Sequence, residues 1–199
     1  IAEMSGGVQA RTSPPAAFAA AILGQLLPLG GAVRTDVTGL ATLKLTEGTL
    51  IRVTENTTVE LQELSGDQTN PTTRLKLSLG RLLVAIGKTL GVGDFTVETP
   101  AGVASVRGSF GSVTYNAETG SSDIVCLETS GSCTATVGGV TVTLKSGERT
   151  TVVGGKALPP QPVDQQDIQQ FLAQLPDAGN IIPTVFPGGT PTQGPTRTP

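Results

Sequence analysis

The chain has 199 residues, a mass of 20.2 kDa and a formal net charge of −3, with 37% hydrophobic, 15% charged and 3% aromatic residues. It has no His, no Trp and two Cys. That excludes His-based nucleophilic catalysis, an imidazole-bound metal and a four-thiolate metal site, and it leaves little cationic or aromatic surface for nucleic acid.

Reading from the start, residues 1–13 are expected to form an N-terminal arm. The first residue is Ile1, so a targeting peptide, had there been one, is expected to be gone. No apolar run reaches the roughly 18–20 residues that a membrane-spanning helix needs. Ala16 to Leu29 is the first long apolar stretch. Phe18, Ile22 and Leu26 recur every four residues, as on one helical face, with Pro14 and Pro15 before them and Pro28 after. A short helix over 16–27 that covers the core, or an extended apolar crossing, is the expected role.

From Val33 the period changes to two. Leu43 and Leu45, Leu50 to Val53, Val59 and Leu61, and Leu75, Leu77 and Leu79 are followed by Leu82 to Ile86. Phe95 and Val97, Val113 and Tyr115, Ile124 to Leu127, Thr134 to Val137, Val140 to Leu144 and Thr150 to Val153 complete the set. Gly-, Asn- or Asp-containing turn signals separate these runs. Such spacing predicts an all-β, antiparallel-rich sandwich or roll, or a short β-solenoid. The 29 Thr suit the outward face of such strands, being β-branched yet polar.

This stretch resembles the FecR domain family. Gly31-Ala32-Val33-Arg34-Thr35 is similar to the family's opening, and Gly39 to Val53 to its first hairpin. Arg74 to Val84, with Gly80 inside, resembles a further segment. The most specific piece is Phe95 to Pro100 followed by Val103 to Phe110, with Thr99, Pro100, Val106, Arg107, Gly108 and Phe110 as the motif residues. Ser109 stands where the family has Thr, and Phe110 comes one residue early. The resemblance implies an envelope β-domain that passes a signal from an outer-membrane receptor to a membrane-bound regulator. Taken alone, Pro100 ends a strand or sits on an edge. Arg107 is expected to pair internally or cap a sharp turn, rather than to hold an anion or partner.

Cys126 and Cys133 flank Thr129-Ser130-Gly131. If that triplet is a hairpin turn, the sulfurs fall on facing strands within bridging reach, and a disulfide is expected. The alternative is two buried thiols. A disulfide implies an oxidising compartment, so the protein is expected to be extracellular or at the cell surface.

The β-domain is expected to end near residue 158, with a Pro-stiffened linker and a helix filling 159–182. Asp164 suits the N-cap, Ile168, Phe171, Leu172 and Leu175 form one apolar stripe, and Pro176 stops the helix. The stripe must dock on its own β body or on a neighbour. Residues 183–199 read as an extended Thr/Pro tail. Ile181, Ile182, Val185 and Phe186 are candidate apolar anchors. Asn56 heads an Asn-x-Thr sequon, and Thr190, Thr192 and Thr196 are candidate O-glycan carriers.

These readings together predict a non-enzymatic structural subunit of an extracellular filament, sheath or surface layer, without cofactor or metal. It would assemble head-to-tail through its terminal arms, with other copies of itself as partners and no small-molecule substrate or nucleic acid. The second reading is the one the resemblance implies: an envelope signalling, scaffold or ligand-binding domain.

Overall fold

The computed structural model describes residues 1–45, 48–67, 70–86 and 94–174; the side chains of 107–110, 128–132, 165 and 172 lie outside that description. The strands in chain order are β1 (Glu3–Ser5), β2 (Val8–Arg11), β3 (Ala19–Ala20), β4 (Ala32–Thr35), β5 (Leu40–Lys44), β6 (Leu50–Val53), β7 (Thr58–Gly66) and β8 (Pro71–Ala85). They continue as β9 (Asp94–Thr99), β10 (Gly102–Asn116), β11 (Ser121–Val137), β12 (Val140–Leu144), β13 (Glu148–Val153), β14 (Lys156–Ala157) and β15 (Gln161–Pro162), and the helix α1 (Gln165–Gln174) closes the described chain.

Three long strands make the fold by belonging to two sheets at once. The first half of β8 pairs with β7 and, in parallel, with β9; its second half pairs with β6 and β10. In β10, residues 102–106 pair with β9 and residues 110–115 with β8. In β11, residues 122–126 pair with β13 and residues 133–137 with β12. One sheet therefore runs β1-β5-β6-β8-β10-β11-β13, and the other β3-β2-β4-β7-β8-β9-β10-β11-β12. Folded face to face, they form a β-sandwich whose corners are continuous strands.

The corners leave a mark on the sequence. Inward residues of β8 are Leu75 and Leu77 before the bend but Leu82 and Val84 after it. In β10 they change from Ala104 and Val106 to Val113, and in β11 from Ile124 and Cys126 to Cys133 and Ala135. Each strand switches from odd to even positions, or the reverse, because bulges add or drop a residue; the β10–β11 register shifts at Arg107/Ser109 and again at Phe110/Gly111. In β8 the bend falls at Gly80, whose φ is +89°. A Cβ there would collide with the Thr57 hydroxyl and lie 2.6 Å from the Asn56 carbonyl oxygen, so only Gly fits.

The helix lies on the outer face of the first sheet. Ile168 and Phe171 pack with Val163 on Leu50, Leu83, Ala85, Val125 and Leu127. Asp164 accepts a hydrogen bond from the Gln166 amide (2.8 Å), as an N-cap does. Arg149 pairs with Asp167 at 3.5 Å in the first turn. At the other end Arg52 donates to the Gln174 carbonyl (3.1 Å) and Arg81 to the Gln174 side chain (2.7 Å), where cations favour the helix dipole. Arg81 also stacks 5.3 Å from the Phe171 ring centroid, and burial lowers its pKa while Glu55 and Asp167 oppose the shift. The stripe thus docks on its own β body, so Ile168 and Phe171 are not free to bind another copy.

Of the two expectations for 16–27, a short helix or an extended crossing, the helix does not form and the crossing does. That stretch holds the short strand β3 and then an extended crossing. Gly24 takes φ +82°, which breaks the run between Ile22 and Leu26.

Candidate functional site

The two sheets do not close on each other everywhere. Between β5–β6 of one sheet and β7–β8 of the other is an apolar groove of about 600 Å³. Leu43, Leu45, Ile51, Leu61, Leu64 and Leu75 line its walls, with Lys44, Thr12 and Gln25 as its few polar groups. This size and lining suit a binding site better than a packing fault.

Gln25 to Pro28, in the crossing loop that runs from Ala21 to Gly31, form one rim. It is anchored at both ends: the Ala21 amide donates to the Val8 carbonyl (3.0 Å), and the Gly30 amide donates to the Leu61 carbonyl (2.8 Å). Between the anchors the Ile22 amide donates to the Gln25 side chain (3.0 Å), holding a turn. Leu27 packs inward, while Ile22, Leu23, Leu26 and Leu29 are 70%, 63%, 87% and 56% exposed. The helical spacing of the loop hid this exposure, because the same residues read as a buried stripe.

A second cleft, of about 560 Å³, lies over Gly6, Gly7, Arg34 and Asp36. Its carboxylate is engaged locally: Asp36 Oδ1 accepts from the Thr38 amide (2.8 Å) and hydroxyl (2.9 Å), which holds the Asp36 pKa below the usual carboxylate value.

The motif residues build the fold. Thr99 Oγ1 accepts from the Gly102 amide (3.1 Å), meets the Ser122 hydroxyl at 2.6 Å, and so locks the turn at Pro100 between β9 and β10. Val106 is buried. Arg107, Gly108 and Phe110 occupy the β10 corner, and their side chains lie outside the described residues.

Cys126 and Cys133 form a disulfide, with Cα atoms 6.1 Å apart. They do not face each other across a hairpin, as the sequence suggested. Both lie in the single strand β11, one before its corner and one after, and face the core. The bond staples the inside of the bend. Ser130-Gly131, read as a turn, lie within β11 where its pairing with β10 shifts register.

Asn56 is exposed in a turn with φ +50°. Leu175, Ile181, Ile182, Val185, Phe186, Thr190, Thr192 and Thr196 lie outside the described residues. Among the described residues there is no grouping of acidic or Cys side chains able to hold a metal, and no helix long and apolar enough to cross a membrane.

The family model for FecR protein matches residues 31–130, half of the chain. No curated protein matches. Among solved structures, that of a candidate anti-sigma factor from Parabacteroides distasonis ATCC 8503 shares the fold, with a TM-score of 0.58 at 17% identity over 71% of this chain and 64% of that one. A second structure with the same description covers 63% of its own chain at the same TM-score. The chain thus spans less than two thirds of those proteins. The match to the FecR protein family overturns the expectation of a self-assembling filament subunit whose partners are its own copies.

Proposed function

The chain belongs to the FecR protein family, and from that membership we propose that it is a non-enzymatic signalling or scaffold domain of the cell envelope that works by holding another protein. The anti-sigma description of the fold neighbours supports a regulatory role. The disulfide supports an oxidising compartment. One observation carries the docking site: exposed Leu26 lines an apolar groove, and Ile22, Leu23 and Leu29 are exposed on the same loop. The chain has no His, and two of its carboxylates are engaged in the fold: Asp36 by Thr38, and Asp123 by Arg149 and Thr151.

The test is made in the native host. A strain carrying Leu26→Asp with Leu29→Asp is compared with one lacking the whole chain, by transcript profile. Both side chains point to solvent, so the fold is expected to persist, which circular dichroism of the purified variant checks. Matching changes in transcript profile support the docking surface. A normal profile in the double variant sinks it.

A further inference from the structure

We propose that the free edge of β12 accepts an extended segment of another protein as an added antiparallel strand. None of its residues lines the groove, and the inference stands whether or not the groove is the docking site.

β12 and β13 are two legs of one bent edge. Both pair with β11, β13 through residues 122–126 and β12 through residues 133–137. Along β13 the chain covers that edge itself. β14 pairs at Val152↔Ala157 and Val153↔Lys156, and β15 at Glu148↔Pro162 and Arg149↔Gln161. The Leu158 amide donates to the Thr151 carbonyl (2.9 Å), and the Val163 amide to the Gly147 carbonyl (2.8 Å). After Val163 the covering segment leaves for α1. Among the described residues, no strand lies on the outer side of Val140–Leu144.

The tight turn Gly138-Gly139, with φ +56° and +79°, sets which backbone groups face outward. Val137↔Val140 flanks the turn as a hydrogen-bonded pair, and Ala135↔Val142 and Cys133↔Leu144 repeat it at every second residue. The amides and carbonyls of Thr141 and Thr143 therefore face away from β11, and among the described residues no backbone group pairs with them. Such a row of donors and acceptors matches one kind of ligand, another extended backbone. Side chains narrow the choice. Leu144 is buried and Val142 packs on the core, while Val140 is 64% exposed at the open end of the same row. A segment with β-branched apolar residues at alternate positions extends that row. On the other face Thr141 meets the Thr136 hydroxyl (2.9 Å), so polar residues suit the positions between. β12 carries no charge and no Pro, two devices that keep a foreign strand off an edge.

The probe is a fluorophore-labelled peptide, Lys-Thr-Val-Thr-Val-Thr-Lys, added to the full chain. In the chain alone, the Thr141 and Thr143 amides are expected to be protected from hydrogen exchange about tenfold less than those of Val142 and Leu144. Saturating peptide should remove the difference. The same peptide with its backbone amides N-methylated should not bind. Thr143→Pro removes an outward amide and spares the bonds to β11, so it should weaken peptide binding by about tenfold or more while Val142 and Leu144 stay protected. Leu26→Asp with Leu29→Asp should leave binding unchanged. Equal protection of the four amides at every protein concentration would mean that the chain covers this edge itself, and overturns the proposal. Protection of the two Thr amides that fades on dilution would assign the edge to a second copy, and overturns it too. So does a peptide that leaves those amides unprotected, a methylated peptide that binds as well, or binding lost in the Leu26 and Leu29 variant, which would place the peptide in the groove. The methylated peptide decides the matter even if Thr143→Pro does not fold.

Discussion

The two halves of β8 differ in what covers them. Before Gly80 the strand reads Leu75-Lys76-Leu77-Ser78-Leu79, with Leu75 and Leu77 buried and Lys76 and Ser78 in solvent. After it comes Leu82-Leu83-Val84-Ala85, buried without interruption. The first half has one dry face, because its sheet turns its outer side to water. The second has two, because α1 lies on the outer side of its sheet. An alternating run marks a half-covered strand and a continuous run a strand covered on both faces. One strand carries both patterns because it belongs to both sheets.

The largest expected effect comes from the hinge between the halves. Gly80→Ala would place a Cβ against Thr57 and the Asn56 carbonyl in a backbone conformation that L-residues resist. Strain and overpacking together predict a loss of about 4 kcal/mol, read by urea denaturation. A loss under 1 kcal/mol would mean that the bend does not depend on this residue.

Next comes the contrast itself. Leu83 points away from the central core, yet it is fully buried under the helix. Leu83→Ala is predicted to cost about 3 kcal/mol by cavity formation, whereas Lys76→Ala on the exposed outer face costs under about 0.5 kcal/mol. Equal costs would deny that α1 covers one half and not the other. A smaller effect is predicted at the stapled corner. Cys126→Ser with Cys133→Ser should lower stability by about 2 kcal/mol, the loop being short, and native exchange patterns at β12 and β13 should persist. Loss of the fold would show that the corner cannot bend without its bond.

Much of this was legible in the residues. Period two, Gly-marked turns and the continuous runs 82–86 and 124–127 predicted an all-β sandwich. The helix was legible from its i, i+3, i+4 stripe and its Asp164 cap. Its docking face was not, since it gathers residues from β6, β8 and β11 that only tertiary pairing brings together. The corners were illegible for a related reason. A switch of inward parity in β8, β10 and β11 looks like noise until the strand is seen to change sheets, and so Ser130-Gly131 read as a hairpin tip. The groove was hidden by Gly24, whose positive φ turns an apparently helical stripe into an exposed loop. The filament reading failed on the family match, and of the two places the stripe could dock, Ile168 and Phe171 take the chain's own β body.

The smallest effect tests a turn far from the helix. Asp36 is exposed, yet two hydrogen bonds from Thr38 favour its charged form and hold its pKa below the usual value near 3.8. The unfolded chain therefore takes up this proton first as pH falls. The stability that the carboxylate contributes is complete above the ordinary carboxylate range and is lost as pH drops through the lower folded value. Asp36→Asn keeps an acceptor for the Thr38 amide but removes the titration. Its urea midpoint should sit slightly below that of the native chain at neutral pH, and the gap should narrow in acid. A gap that is constant with pH would mean that the turn is held by shape alone. Because the Asp36 amide also bonds to Gly7 and its carbonyl to Asn56, the turn joins the β2 end of the open sheet to the loop that abuts Gly80. Even this small pH effect should therefore reach the hinge of β8, as lower protection factors at the Thr57 and Arg81 amides in acid once the pH dependence of intrinsic exchange is divided out.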